Sequence, residues 1–208
     1  ADSDGNARSR RDFSEALVTE VSFPACDAAS KDTTPVTVKF KPEYSRSSPG
    51  DGSKIKGDVN TKQKVFLPSN FRLEIGGLPC QTVSKVGAFT FKQAVVVDPI
   101  GDSRESQIIP GPISFTDLDI TGGMRDYGKW ADWFRDFVLD GNCGQDRELS
   151  GSITWLSQNR KEELARVTFH QIGIIELKEN ANEAGKEGVK TWNAKCYFEW
   201  CEFEILGA

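Results

Sequence analysis

The chain has 208 residues, long enough for one well-developed hydrophobic core, and its 26 Lys and Arg against 31 Asp and Glu give a net charge of −5. That mixed, slightly acidic balance disfavours tight grip on phosphate backbones, so no specific nucleic-acid binding is expected. No run approaches the roughly 20 apolar residues of a helical membrane span, and a soluble chain without membrane insertion is expected.

Residues 1–14 are polar and charged with little to bury, which predicts a disordered leader ahead of a single domain over residues 15–208. Ser9-Arg10-Arg11-Asp12-Phe13 looks like the start of a twin-arginine export signal. However, Ser14, Glu15, Thr19 and Glu20 fall where such a signal needs a continuous apolar region, and a polar leader is the better reading. Strand alternation then begins, with Leu17, Thr19, Val21 and Phe23 on one parity and, after a wide connection, Val36, Val38 and Phe40. Residues 45–64 hold Pro49, Gly50, Gly52 and Gly57 with several serines and lysines, which predicts a long exposed loop. Loops of that length usually carry a function, and a contact arm is the one expected here.

Phe71, Leu73 and Ile75 alternate before a Gly76-Gly77 turn, and a strand-rich run follows over 82–97. An irregular segment is expected over 99–112, closed by Pro110-Gly111-Pro112. Beyond it Ile113 and Phe115 share one parity and Leu118 and Ile120 the other, the mark of a bulge. One helix is predicted, over about 126–140. Its Trp130, Trp133, Phe134, Phe137 and Val138 fall at i, i+3, i+4, i+7 and i+8, a single apolar stripe, with Lys129, Asp132, Arg135 and Asp136 opposite. A lone helix with so aromatic a face needs a sheet to cover it.

Leu149, Gly151, Ile153 and Trp155 alternate, residues 167–177 are apolar on both faces as in a covered strand, and the last strand changes parity near Trp200, predicting a second bulge. The fold class is therefore mainly β: an antiparallel β-barrel or sandwich of two sheets with one flanking α-helix. Trp130, Trp133, Phe134, Phe137, Trp155 and Phe198 are expected to form its structural core.

Catalytic chemistry finds little to work with. His170 is the only histidine, so neither a catalytic triad nor a multi-histidine metal site can be built, and a partly buried, hydrogen-bonded side chain is expected there. The five cysteines, Cys26, Cys80, Cys143, Cys196 and Cys201, lack the C-x-x-C spacing of zinc sites and are expected as free thiols in a reducing compartment. Gly50-Asp51-Gly52-Ser53-Lys54 lacks the spacing of a phosphate loop, and Glu199, Glu202 and Glu204 read as a solvated strand face. No enzymatic activity, cofactor or metal is expected.

In their order along the chain, Phe71-Arg-Leu-Glu-Ile-Gly-Gly77, Val83-Ser-Lys-Val86, Pro110-Gly-Pro112, Trp130-Ala-Asp-Trp133, Gly151-Ser-Ile153 and the closing strand from Cys196 to Ile205 carry a resemblance. So does the leading part, Ala16 to Lys31 with Thr37 to Tyr44. Together they cover most of residues 16–206, and the chain is similar to the tail tube proteins of contractile phage tails and related bacterial contractile injection systems, a family that includes type VI secretion tube proteins.

The resemblance implies a β-barrel protomer whose copies form six-fold rings, with sheets joined side by side into a lumen wall and rings stacked into a tube. It implies a passive conduit for DNA or protein cargo, made of this chain with itself and bound to sheath and baseplate proteins, as part of a virion or injection particle assembled in the bacterial cytoplasm. The contact candidates between copies are Ser48, Gly50, Lys54 and Lys56 in the expected arm, and Ile100, Arg104 and Ile108 in the segment after it. Two other readings stay open: an initiator or adaptor at a tube end with the same barrel, and a monomeric β-sandwich that binds a protein or glycan.

Overall fold

The computed structural model describes residues 1–30, 35–55, 67–99, 101, 106–181 and 189–206. They fall into two compact units where one domain was expected from residue 15 on. The first takes Ala1–Val21, Thr37–Gln63 and Phe91–Ser114, and the second takes Ser22–Val36, Lys64–Thr90 and Phe115–Ala208.

The second unit holds an antiparallel, barrel-like sheet of eight strands. They are β2 (Cys26–Asp27), β4 (Phe71–Ile75), β5 (Val83–Val86), β8 (Leu118–Gly123), β9 (Leu149–Leu156), β10 (Glu163–Glu179), β11 (Thr191–Tyr197) and β12 (Trp200–Ile205). Their order is β2-β5-β8-β11-β10-β9-β4, and β12 also pairs with β10. Alternation explains the core: Leu118 and Ile120, Val167 and Phe169, and Trp192, Ala194 and Cys196 are the inward members of their strands, all buried.

The organising element is β10, 17 residues long and covered on both faces for much of its length. Its first half pairs with β9 and β12, and its second half pairs with β11. Between the halves the register shifts, between Phe169 and Ile172, and Gln171 takes a positive φ of 55°, so a bulge bends the strand there. The parity change near Trp200 lies opposite this bulge. It is a break and not the bulge expected: β11 ends at Tyr197, opposite Gly173, and β12 restarts at Trp200, opposite His170. The parity change between Phe115 and Leu118 is likewise a break, since β7 (Gln107–Phe115) belongs to a different sheet from β8.

Helix α1 spans Tyr127–Phe134 and continues as a π-helical turn over Arg135–Leu139. Trp130 and Phe137 are buried, Trp133 and Phe134 are half-buried, and Val138 is exposed. The helix is fixed at its start by polar contacts: the buried carboxylate of Asp126 accepts from the backbone N–H of Thr82 at 2.9 Å and from its hydroxyl at 2.8 Å. The Trp130 indole N–H donates to the carbonyl of Pro79 at 2.9 Å, and its ring meets Trp192 at 4.7 Å.

Away from the helix, the core is a chain of phenylalanines. Phe23 stacks on Phe89 at 4.7 Å, Phe89 meets Phe169 at 5.2 Å, and Phe169 meets Phe198 at 4.9 Å. Trp155 joins at 6.1 Å from Phe23. Each large side chain so buried contributes about 1.5–3 kcal/mol.

The first unit holds most of a four-stranded sheet of order β3-β1-β6-β7, in which β1 is Ser9–Phe23, β3 is Thr37–Pro49 and β6 is Phe89–Asp98. Three sequence expectations are corrected here. Strand β1 begins at Ser9, inside the expected disordered leader; β3 runs on through residues 45–49 of the expected loop; and β7 passes through Pro110-Gly111-Pro112. In the first two cases backbone pairing does what the apolar pattern could not announce. Gly50 N donates to Arg8 O at 2.9 Å, Gly52 N to Ala7 O at 3.1 Å, Ala7 N to Ser53 O at 2.8 Å and Ile55 N to Gly5 O at 2.9 Å. Gly50 suits its place because a Cβ there would run into the backbone of Ala7. In the third case β7 is a terminal strand, and a terminal strand tolerates prolines whose missing N–H faces outward.

Candidate assembly surface

Every buried residue among those described belongs to the second unit, and the first has none. Its sheet nevertheless carries large apolar side chains. Phe13, Val38, Phe40, Val96, Val97 and Ile113 are each between 46% and 54% exposed. Val96 and Val97 are consecutive in β6, so apolar surface appears on both faces of the sheet. Phe13 and Phe40 meet edge to face at 5.4 Å across β1 and β3, and the Arg11 guanidinium lies 5.8 Å from the Phe13 ring centre. Extended exposed apolar patches are a mark of interaction surfaces.

Two ion pairs lie on the sheet. Lys39 meets Glu20 at 2.7 Å, and Arg10 meets Asp12 at 2.8 Å. Before β1, Asp2 accepts from the N–H groups of Asn6 at 2.8 Å and Asp4 at 3.1 Å, and these hydrogen bonds, with Asn6 foremost, hold its carboxyl below the usual range. Asp2, Asn6, Ala7, Arg8, Gly50 and Gly52 line an open recess of about 380 Å³.

The two terminal strands of the sheet are also joined. The Glu43 carboxylate in β3 accepts the backbone N–H of Ile108 in β7 at 2.7 Å. In a flat sheet these strands would stand three spacings of about 4.8 Å apart, roughly 14 Å. A single carboxylate cannot span that, so the sheet curls until its edges approach.

Of the contact candidates, Ser48, Gly50, Lys54 and Ile108 all fall in this unit; Lys56, Ile100 and Arg104 lie outside the described residues. Ser48 is exposed in β3, Lys54 forms a bridge with Asn6, and Ile108 is tied to Glu43. Glu43, Phe13 and Phe40 are not among the contact candidates read from the sequence. Phe13 is set among charges, and the pairing that gives Glu43 its place is a long-range one.

His170 stacks on Trp200 at 4.8 Å, and its buried Nε2 lies 3.9 Å from a Glu202 oxygen with no hydrogen-bond partner, so stacking holds the ring at that edge in place of the expected hydrogen bond. Glu199, Glu202 and Glu204 are exposed. Among the described residues no cluster of His, Cys, Asp and Glu could hold a metal ion. All five cysteines are free thiols; burial pushes Cys26 up to about 12 and Cys80 and Cys201 up to about 11, Cys196 is raised further, and Cys143 is exposed. No helix among the described residues is long and apolar enough to cross a membrane.

No protein-family model matches the chain, and no curated protein is similar to it in sequence. Solved structures are similar in fold. A chain of the sheath–tube complex of an extracellular contractile injection system, PVC, in its extended state, superposes with a TM-score of 0.51 at 13% identity, covering 66% of this chain and 89% of that one. A chain of the anti-feeding prophage baseplate gives 0.51 at 10% identity, covering 65% and 93%. A chain of the cap that terminates the anti-feeding prophage tube gives 0.50 at 10% identity, covering 75% and 97%. The fold is thus the one found in these injection particles, the tail-tube-like fold that the sequence resembles.

Proposed function

We propose that the chain is a structural subunit of a contractile injection tube, whose copies join through the four-stranded sheet into stacked rings, six to a ring, that conduct DNA or protein cargo without turnover. The observation that carries this reading is the sheet itself. An open four-stranded sheet with apolar side chains on both faces and, over its part in the first unit, no buried residue among those described has little core of its own there, and a neighbouring copy beside it and above it would supply the cover. Its terminal strands would pair between copies, which satisfies backbone groups otherwise open at an edge. Ser48, Gly50, Lys54 and Ile108, with Lys56, Ile100 and Arg104, are the proposed contacts, and sheath and baseplate proteins are the proposed partners on the outside. The particle would be put together in the bacterial cytoplasm.

A second reading rests on the likeness to a chain of the anti-feeding prophage tube cap: a ring at one end of the tube, built on the same barrel. Sedimentation and negative-stain microscopy of the purified chain separate the readings. Stacked tubes support the first, single rings that do not stack support the second, and a stable monomer at high concentration overturns both in favour of a binding module.

A further inference from the structure

The edge of β7 is unusually poor in hydrogen-bond donors. Ile108 sends its N–H away from β6, to Glu43 of β3. Backbone groups alternate sides along a strand, so the positions that share this outward direction are Ile108, Pro110, Pro112 and Ser114. The two prolines have carbonyls but no N–H. The outer edge of β7 therefore presents a row of acceptors with donors only at its two ends, and the donor at the leading end is held by Glu43.

We infer that Glu43 is a guard on the assembly edge: in the free protomer it occupies the Ile108 N–H, and pairing of β7 with a second copy of the chain requires that this carboxylate be displaced. The inference rests on the assembly reading above. Because Pro110 and Pro112 cannot donate, an arriving strand gains two-way hydrogen bonding only where an N–H survives, and Ile108 is one of those places. A charged carboxylate is a strong acceptor for a backbone N–H, so it competes well against an arriving carbonyl. It also covers the edge until a correctly placed neighbour arrives, the usual remedy for an open strand. The occupant is a copy of this chain because Glu43 links β3 to β7, the two terminal strands of one sheet: displacing it parts the two edges that head-to-tail joining of identical sheets would bring together.

The test compares the full-length wild type with Glu43→Ala and Glu43→Gln, with thermal unfolding run on each to confirm that the protomer is folded. Amide hydrogen exchange on the free protomer should show Ile108 protected in the wild type, exposed in Glu43→Ala and intermediate in Glu43→Gln, with Gly111 and Ile113 unchanged. Light scattering should then show Glu43→Ala assembling about fivefold faster, the factor carried by one hydrogen bond of ordinary net worth. An unprotected Ile108 in the wild-type protomer, or a Glu43→Ala variant that assembles no faster than a wild type that does assemble, overturns the guard alone. A chain that never assembles although its Ile108 protection behaves as described overturns the tube reading and the guard with it.

Discussion

The indole of Trp192 lies against Gly122, its register partner in the neighbouring strand β8, so closely that a Cβ at position 122 would fall within the ring. The same relation recurs at the other end of β11, where the Tyr197 ring covers Gly173 of β10, its own register partner. Each glycine is the space that its aromatic partner fills. Trp192 is further fixed by its N–H, which donates to the Gly123 carbonyl at 2.8 Å.

Gly122→Ala should therefore force the Trp192 ring away from Trp130 and from the Gly123 carbonyl. An overpacked core of this kind loses about 1–3 kcal/mol. Urea unfolding should show the loss, and an unaltered midpoint would mean that the ring is not held there.

Trp130 and Trp133 share the helix stripe but differ in burial, and their alanine variants should differ in cost. Trp130→Ala removes a fully buried ring and its hydrogen bond to Pro79 and should cost about 3–5 kcal/mol. Trp133→Ala, at a half-buried position, should cost less and impair assembly only in proportion to the protomer lost. Thermal unfolding of the two variants side by side would show the order, and equal losses would contradict it.

The thiols should report burial directly. Cys143 should react with an alkylating reagent in the native protein, whereas Cys26 and Cys196 should react only after unfolding, because the thiolate is the reactive form and burial suppresses it. The pH dependence follows with a definite sign. Native Cys26 keeps its proton up to about 12, while its unfolded counterpart releases it near 9, so above pH 9 the native state binds more protons. Stability should accordingly fall as pH rises from 9 toward 12, and mass-resolved labelling across that range would trace it.

Phe40→Ser tests the exposed sheet. The ring is half exposed, so the protomer should lose little stability, within about 0.5 kcal/mol as for most surface changes, while assembly weakens markedly. Sedimentation at several concentrations reads the second effect, and assembly equal to the wild type would remove this face from the interface.

What the sequence disclosed was mostly what is local and apolar. The stripe from Trp130 to Phe137, the alternation of Phe71 to Ile75 and the double-faced run of β10 all state their period within a few residues, and the second unit follows from them. The first unit hid because its strands alternate weakly and carry charge. Ser9 to Phe13 shows no buried face, and only pairing with residues some forty positions later makes it a strand. The parity changes at Phe115 and near Trp200 were visible, but their meaning was not: parity alone does not tell an inserted residue from a chain that leaves one strand and begins another. The Glu43 contact depends on the curl of a whole sheet, which no window of sequence contains.

The prolines of β7 also bear on the symmetry of any contact made through that edge. Two copies meeting β7 to β7 about a two-fold axis would set carbonyl against carbonyl around Pro110 and Pro112, with no proton between them. An isologous dimer through that edge is thereby disfavoured, and contacts that use it must be heterologous, running from one kind of edge to another. Heterologous contacts give the assembly a direction, and they either close into a ring or continue as a filament.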